Sequence, residues 1–424
     1  MAYVGFVNTD YTPKRKEVVC LFYAESPRGK TLEWTAEHVA GESSVGTWTD
    51  VVTSKDSIGG LAPHICKIDK KKGVFAVAYP PELFEFENVP GIMSSIAGNI
   101  FGMKAVENLR LLDIQFPPAL LKAHRGPEYG IDGLRKRFGI EKRPFVGTII
   151  KPKLGLPYQK HAKVAYDAWV GGCDVVKDDE NLTSQSFNPF EKRAKATLAL
   201  MKKAEKKTGE KKAYLINVTA ETGEMIRRAK LAKKLGANYL MIDVLTAGFA
   251  AVQSLREADL GLPLHAHRAM HGMITRNPRH GMTMLALAKI YRLIGVDTLH
   301  VGTGEVGKME GGPAETKAII NEVREKEVKK GPVFLPQEWG SIKPVMPVAS
   351  GGLDPSGVPQ LMKLFGNDFV VQAGGGIHGH PKGTKAGATA MRQAVDACIK
   401  RQSLESYSKS HKELAQALAY WKGK

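Results

Sequence analysis

The residues of this chain that could do chemistry fall in short polar clusters, each closing an apolar run. Lys151-Pro152-Lys153 is the first. Residues two apart on an extended segment point the same way, so both ammonium groups would face one side. Lysines crowded by like charge and partly buried become usable acids or bases; two solvated surface lysines are the plainer reading. Lys177-Asp178-Asp179-Glu180 closes the next run. Three adjacent carboxylates repel one another unless a cation is present, and hard oxygen donors of this kind suit Mg2+. An ammonium at Lys177 would compete with such a metal, whereas a carbamate formed there by CO2 would be an anionic oxygen ligand. The alternative is a solvated acidic loop in which an Asp or Asn181 caps a helix.

Further along, His265-Ala266-His267-Arg268, with His271 close behind, carries three readings. The preferred one is a general acid/base histidine beside an arginine that grips phosphate. Structural histidines are the second, and a zinc pair the third. After His300, the glycines Gly302, Gly304, Gly307, Gly311 and Gly312 surround Lys308. That pattern suits a mobile lid delivering an ammonium group to a closed site, or else a flexible surface loop. Ser350-Gly351-Gly352 and Gln372-Ala373-Gly374-Gly375-Gly376 close the last two runs. Glycines there let backbone N–H groups approach an anion. With Arg268 and His300, they point to two separated phosphates on one substrate.

These clusters need a scaffold, and the apolar pattern supplies one. β-rich runs at 145–152, 173–179, 213–218, 239–244, 262–268, 298–303, 344–350 and 369–374 alternate with helical stretches such as 190–208, 223–235 and 282–293. Short strands alternating with helices predict parallel strands joined by crossover helices. Eight such units over about 250 residues fit a (β/α)8 TIM barrel better than a doubly wound open sheet. In such barrels the active site lies at the carboxyl ends of the strands, where all these clusters fall. The first 125 or so residues lack that rhythm. Strand-like stretches at 18–23 and 73–79, a helix at 32–40 and a glycine-rich segment at 91–102 predict a smaller α+β (ferredoxin-like) domain. The expected division is an N-terminal domain at 1–125, a catalytic barrel at 126–403 and an amphipathic helical tail at 404–424.

Composition narrows the function classes. The chain has 424 residues, 43% hydrophobic and 25% charged, which excludes a disordered, collagen-like or disulfide-stapled class. With 61 Lys+Arg against 43 Asp+Glu, net +18, it attracts anions. A nucleic-acid binder would concentrate lysines on one face with aromatic platforms. Here pairs such as Lys202-Lys203, Lys206-Lys207 and Lys211-Lys212 spread over the helices instead. Cys20, Cys66, Cys173 and Cys398 are scattered, with no CxxC pair, and read as reduced thiols. The start has no apolar core behind a basic leader, and no run approaches the roughly 18 apolar residues of a membrane span. The expectation is a cytoplasmic protein with no membrane and no nucleic-acid partner.

Taken together, the motifs carry a resemblance. Lys151-Pro152-Lys153, Gly171-Gly172-Cys173-Asp174 leading into Lys177-Asp178-Asp179-Glu180-Asn181, His267-Arg268-Ala269-Met270-His271 and Gly307-Lys308-Met309-Glu310-Gly311 resemble the large subunit of ribulose-1,5-bisphosphate carboxylase/oxygenase (RuBisCO). So do Glu42-Ser43-Ser44-Val45-Gly46-Thr47-Trp48 and Gly98-Asn99-Ile100-Phe101-Gly102. The similarity runs in order over nearly the whole chain and is greatest to the archaeal-type, form III branch. It implies ribulose 1,5-bisphosphate, CO2 and O2 as reactants and two 3-phosphoglycerate as the carboxylation product. It also implies Mg2+, held by a Lys177 carbamate with Asp179 and Glu180. The carbamate resembles the base that takes the C3 proton. Lys151 resembles the catalytic base and later proton donor, His267 the second acid/base and Lys308 the lid lysine that steadies CO2. Lys153, Arg268, His300, Ser350, Gly351, Gly352, Gln372, Ala373, Gly374 and Gly375 match substrate and phosphate contacts. Glu42, Thr47, Trp48 and Asn99 would reach in from the partner chain of a homodimer or a larger assembly of dimers, with no small subunit. The archaeal branch further implies an AMP-salvage context.

Departures from plant-type chains are Ile149, Val301 and a lid one residue longer at Gly304-Glu305-Val306; they bear on gas specificity and turnover. A RuBisCO-like enolase acting on a sulfur-containing sugar phosphate is the alternative. Such paralogues typically lose several of the lysines or phosphate contacts, whereas Lys151, Lys153, Lys177, His267 and Lys308 are all present here. A metal-dependent amidohydrolase would carry its paired histidines on the first strand, not the fifth. A basic nucleic-acid-binding protein is the distant alternative.

Overall fold

The computed structural model describes residues 5–46, 60–309, 311–331 and 334–422. The chain forms two compact units, one of Met1–Gly126, Met270–Ile294 and Glu325–Ile342, the other of Pro127–Ala269, Gly295–Arg324 and Lys343–Lys424.

The first unit is built on β1 (Val18–Glu25), β2 (His64–Asp69), β3 (Val74–Tyr79) and β4 (Asn108–Gln115). β1 is antiparallel to both β3 and β4, and β2 is antiparallel to β3, so the order is β4-β1-β3-β2. With helices Leu32–Glu42 between β1 and β2 and Val89–Ile96 between β3 and β4, this is the expected ferredoxin-like βαββαβ arrangement. Every residue of β3 is buried, as a central, apolar strand requires. Both helices start at side-chain caps: Thr31 accepts from the Trp34 N–H, and Asn88 from the Gly91 N–H. The strands β2 and β4 escape the sequence pattern because each mixes charged residues into its apolar positions.

The segment that follows the fifth barrel strand in sequence is counted with this first unit. Its helix runs Met284–Ile294, and all of it is buried. The helix starts two residues later than the apolar spacing predicts. The reason is that Gly281–Met282 (β10) pairs in parallel with β4, Gly281 opposite Arg110. A buried Lys289–Asp113 ion pair at 2.9 Å ties the helix to β4, and Asp113 also accepts the Leu335 N–H at 2.8 Å. Glu327–Val328 (β12) and Gln337–Glu338 (β13) form a short antiparallel pair.

The second unit is the barrel. Its strands are β5 (Phe145–Ile149), β6 (Val175–Lys177), β7 (Ala213–Asn217), β8 (Tyr239–Asp243), β9 (Leu264–His267), β11 (Thr298–His300), β14 (Met346–Ser350) and β15 (Val370–Gln372). All pairs are parallel and β15 returns to β5, closing the sheet. Each of the eight expected runs is a strand, and the open sheet is excluded. The interior is filled by Phe145, Val175, Leu215, Met241, Met346, Val348 and Val370. Helix Gly130–Phe138 packs Leu134 and Phe138 against this cluster, with Phe138 stacked on Tyr239. Removing a ring of this kind costs roughly 3–5 kcal/mol.

Carboxylates just before the barrel strands are structural. Asp174 takes Arg143 and the Val146 N–H; Asp297 takes the N–H groups of Tyr129, Gly130 and Leu264. Charge at that end of the barrel serves the fold, and the ends that carry chemistry in such barrels are the other ones. The tail is two helices, Leu404–Ser408 and Lys412–Trp421, rather than one. No helix among the described residues is long and apolar enough to cross a membrane.

Candidate active site

At the carboxyl end of β5 the ladder stops at Ile149, so strand alternation does not place Lys151 and Lys153. They are aligned instead by the loop after β6: Lys151 Nζ donates to Asp179 Oδ2 at 2.8 Å and Lys153 Nζ to Asn181 Oδ1 at 2.8 Å. The end of β5 is held from below by His378. Its Nε2 lies 2.9 Å from the Ile149 carbonyl, and its Nδ1 lies 3.0 Å from the Thr384 hydroxyl. Burial pulls the His378 imidazole down to about 4, so it stays neutral at pH 7.

β6 ends on Lys177 itself, which is fully buried. The expected row of three clustered carboxylates is broken. Asp178 turns away from Asp179 and Glu180 into a hub, accepting from His161 Nε2 at 3.0 Å, Tyr214 OH at 2.6 Å, Arg193 Nε at 3.1 Å and the Asn217 N–H at 3.0 Å. Burial would push its carboxyl up, but the Arg193 charge and the His161 hydrogen bond outweigh that and hold it well below the usual range. Alternation along an extended segment is the physical reason: Lys177 and Asp179 share a side that Asp178 cannot.

Glu180 is left facing Lys177 Nζ at 3.2 Å and His267 Nε2 at 3.5 Å. Burial opposes its charge, yet Lys177 and His267 bring the carboxyl down to about 2. The loop carrying Asp179 and Glu180 is clamped by Asn217 at the end of β7, whose amide lies within 3.0–3.3 Å of the carbonyls of Asp179, Glu180 and Leu182. His267, ending β9, donates from Nδ1 to Asp243 Oδ1 at 2.9 Å, so the imidazole sits between two carboxylates. Asn217 and Asp243 were missed by motif reading. Their only signal is a polar residue at the penultimate position of an otherwise apolar run.

His265 does not join His267 in a metal pair. It is buried, with Nδ1 2.8 Å from Thr298 Oγ1 and Nε2 3.0 Å from His300 Nε2. Among the described residues no three His, Cys, Asp or Glu side chains are placed to hold a metal by themselves. Arg268 is buried, and no hydrogen bond or ion pair reaches its guanidinium among the described residues. Burial lowers it to about 10, against the charge of Glu315. A buried cation without a hydrogen-bonded counterion among the described residues suits an incoming anion.

The lid runs from β11 over the end of β14. The Lys308 N–H donates to the Gly351 carbonyl at 3.0 Å, and the Lys308 side chain is exposed. Gly351 and Gly352 have φ of +118° and +70°. A Cβ at Gly351 would lie 2.1 Å from Met309 Cγ, and one at Gly352 2.6 Å from Lys308 Cγ. These glycines therefore admit the lid as well as offering backbone to an anion. Next to β15, a Cβ at Gly374 would press on Lys151 Cε at 3.2 Å, while Gly375 faces open space. The Gln372 side chain is enclosed in the barrel beside a cavity of about 10 Å3, and its amide atoms find no partner among the described residues. In the first unit Asn99 donates to Glu42 Oε1 at 3.2 Å, bringing two of the expected partner-chain residues together. Thr47 and Trp48 lie outside the described residues.

Comparison with known proteins places the chain in a family. The family model for the ribulose bisphosphate carboxylase large chain, catalytic domain, matches residues 130–421, and that for the N-terminal domain matches residues 5–120. A relative from Methanocaldococcus jannaschii named ribulose bisphosphate carboxylase is 51% identical over 429 residues, 99% of this chain and 100% of its own. One of the same name from Methanosarcina barkeri is 50% identical, covering 98% of both. Among solved structures, the dimeric archaeal Rubisco from Hyperthermus butylicus superposes with a TM-score of 0.93 at 44% identity, over 98% of both chains. The octameric enzyme from Pyrococcus horikoshii OT3 gives 0.91 at 44% identity, over 98% of this chain and 96% of that one.

Proposed function

The chain belongs to the ribulose bisphosphate carboxylase large-chain family, and from that premise we propose how its own residues divide the work of the reaction. The protein is a carbon–carbon lyase. Ribulose 1,5-bisphosphate is enolised, CO2 or O2 adds at C2, and after CO2 addition hydration and C2–C3 cleavage yield two 3-phosphoglycerate.

The donor set fits Mg2+ once Lys177 is counted. Glu180 Oε2 lies 3.2 Å from the Lys177 amine, and Asp179, on the same loop, holds its carboxylate against Lys151 Nζ at 2.8 Å. Addition of CO2 to the neutral amine, with loss of one proton, turns that nitrogen into an anionic carbamate and supplies the third oxygen donor. When bound, Mg2+ supplies Lewis acidity to the sugar oxygens and stabilises the developing carboxylate. Once carbamylated, Lys177 would be the group placed to take the C3 proton. His267, oriented by Asp243, holds and moves a proton at Nε2. Lys151 rests on Asp179 and returns a proton to C2 of the upper product. Lys308, carried in by the lid, faces the incoming gas. Arg268 and His300 take one phosphate, and Lys153 contacts the sugar. Ser350, Gly351 and Gly352, with Gln372, Ala373, Gly374 and Gly375, form the second phosphate side.

The observation that carries this reading is the continuous run of contacts Lys151–Asp179, Lys177–Glu180 and Glu180–His267, which joins three strand ends at one mouth. The minimal catalytic unit is a homodimer, with Glu42, Thr47, Trp48 and Asn99 completing the partner's site. Residues 1–125, 126–403 and 404–424 act as N-terminal domain, catalytic barrel and tail. The setting is cytoplasmic, without a small subunit, and ribose phosphate from AMP feeds the reaction. The test is anaerobic incubation with Mg2+, labelled bicarbonate and ribulose bisphosphate after CO2 activation, followed by assay of acid-stable labelled 3-phosphoglycerate. Lys177→Ala is expected to abolish the label; full activity in that variant would overturn the metal-site assignment.

A further inference from the structure

Beneath the mouth of the barrel four side chains from three adjacent strands form a line. Tyr239 OH, on β8, donates to Thr298 Oγ1 on β11 at 3.2 Å. Thr298 Oγ1 is 2.8 Å from His265 Nδ1 on β9, and His265 Nε2 is 3.0 Å from His300 Nε2, back on β11. All four are buried. No other hydrogen-bond partner reaches any of these four polar side chains among the described residues.

The protons on this line can be counted. Burial pushes both imidazoles well below the ordinary histidine range, so each carries one proton at pH 7. One Nε2 must then donate to the other, which leaves two arrangements. In the first, Tyr239 donates to Thr298, Thr298 donates to His265 Nδ1, and His265 Nε2–H donates to His300 Nε2. Every proton in the interior is used, and His300 keeps its own on Nδ1. In the second, His300 Nε2–H donates to His265, and His265 Nδ1–H donates to Thr298. Thr298 then accepts twice, and its own hydroxyl proton has no acceptor. Leaving a buried donor unmade costs about 1–3 kcal/mol, which favours the first arrangement.

We propose that Tyr239, Thr298 and His265 are positioning residues that lock His300 in the Nδ1–H tautomer, so that the one ring nitrogen the barrel does not use is a donor to a substrate oxyanion. The inference rests on the reading of His300 as a substrate contact. A donor at that position suits a phosphate oxygen, whereas the opposite tautomer would present a lone pair to an anion. The device is invisible in motif reading because Thr298 carries no chemistry of its own.

The test separates the relay from the substrate-contact reading. In the carbamylated, Mg2+-loaded enzyme with 15N-enriched histidine, the His300 nitrogens are assigned by their loss in His300→Gln, and their shifts report which one bears the proton. The expected result is a protonated Nδ1 in the parent protein. In Thr298→Val both His300 nitrogens should shift toward an exchange-averaged mixture. There the KM for ribulose bisphosphate should rise about five- to tenfold with kcat less affected, and Thr298→Ser should restore both readouts. Should Thr298→Val fail to fold, Tyr239→Phe is expected to move the shifts in the same direction by less. A parent protein protonated on Nε2, or substitutions that leave the shifts unchanged, would overturn the relay. A tautomer change with no change in KM would uphold the relay and overturn the substrate-contact reading.

Discussion

Asp243 Oδ1 lies 2.9 Å from His267 Nδ1, and this contact between the ends of two neighbouring strands fixes which imidazole nitrogen faces Glu180. Asp243→Asn keeps the size of the side chain but replaces a carboxylate with an amide, which no longer selects the Nδ1–H form. Acid–base groups of this kind contribute roughly 10²–10⁴-fold, so a loss of about ten- to a hundredfold in kcat is expected for disturbing one. The KM for ribulose bisphosphate should change little. Steady-state kinetics with unchanged kcat would show that the contact is structural.

Asp178 accepts four hydrogen bonds in a fully buried site and neutralises Arg193 at 3.1 Å. Removing one partner of a buried pair leaves an uncompensated charge, at a cost of about 3–5 kcal/mol. Asp178→Ala is therefore expected to lower the denaturant midpoint sharply. The larger of two losses should be in stability rather than in the chemistry of Lys177. Urea titration of the parent and variant reads this directly, and a midpoint within experimental scatter of the parent would refute the hub.

Gly352 holds φ at +70°, and Lys308 Cγ occupies the space beside it. An alanine there adds backbone strain of roughly 1–2 kcal/mol and displaces Lys308, the lid residue proposed to face the gas. Gly352→Ala should fold, with a midpoint lowered modestly, but lose at least about tenfold in kcat/KM. A variant with full activity would show that the lid closes without this packing.

His378 supplies a pH dependence whose sign is set by its depressed value. An unfolded histidine titrates near 6.5, whereas the folded one is pulled down to about 4. Between those values the unfolded chain binds the proton and the folded chain does not, so stability falls as pH drops from about 6.5 to about 4. The span corresponds to about 3 kcal/mol as an order of magnitude. Buried His265 and His300 act in the same direction. Denaturant midpoints measured at pH 7 and pH 4.5 should differ, and His378→Gln should narrow the difference; an equal difference in both proteins would remove His378 from the account.

The barrel and its reactive rim were legible in the linear order of residues. Each apolar run is long enough to make one buried strand, and its polar terminus falls at the carboxyl end by simple succession. Lys151, Lys177, Asp179, Glu180, His267, Arg268 and Lys308 could be named because their chemistry is unusual at such ends. What the order of residues could not decide is which polar side chains face one another across neighbouring strands. Asp178 reads as a third clustered carboxylate until His161, Arg193, Tyr214 and Asn217 surround it. Asn217 and Asp243 read as strand ends until closure of the sheet brings them to Glu180 and His267. Thr298 and His265, 33 residues apart in the chain, become one hydrogen-bonded line only because β9 and β11 are paired in register. Side-chain type is local and survives in sequence, whereas proton direction and charge pairing depend on distances that exist only after the sheet has closed.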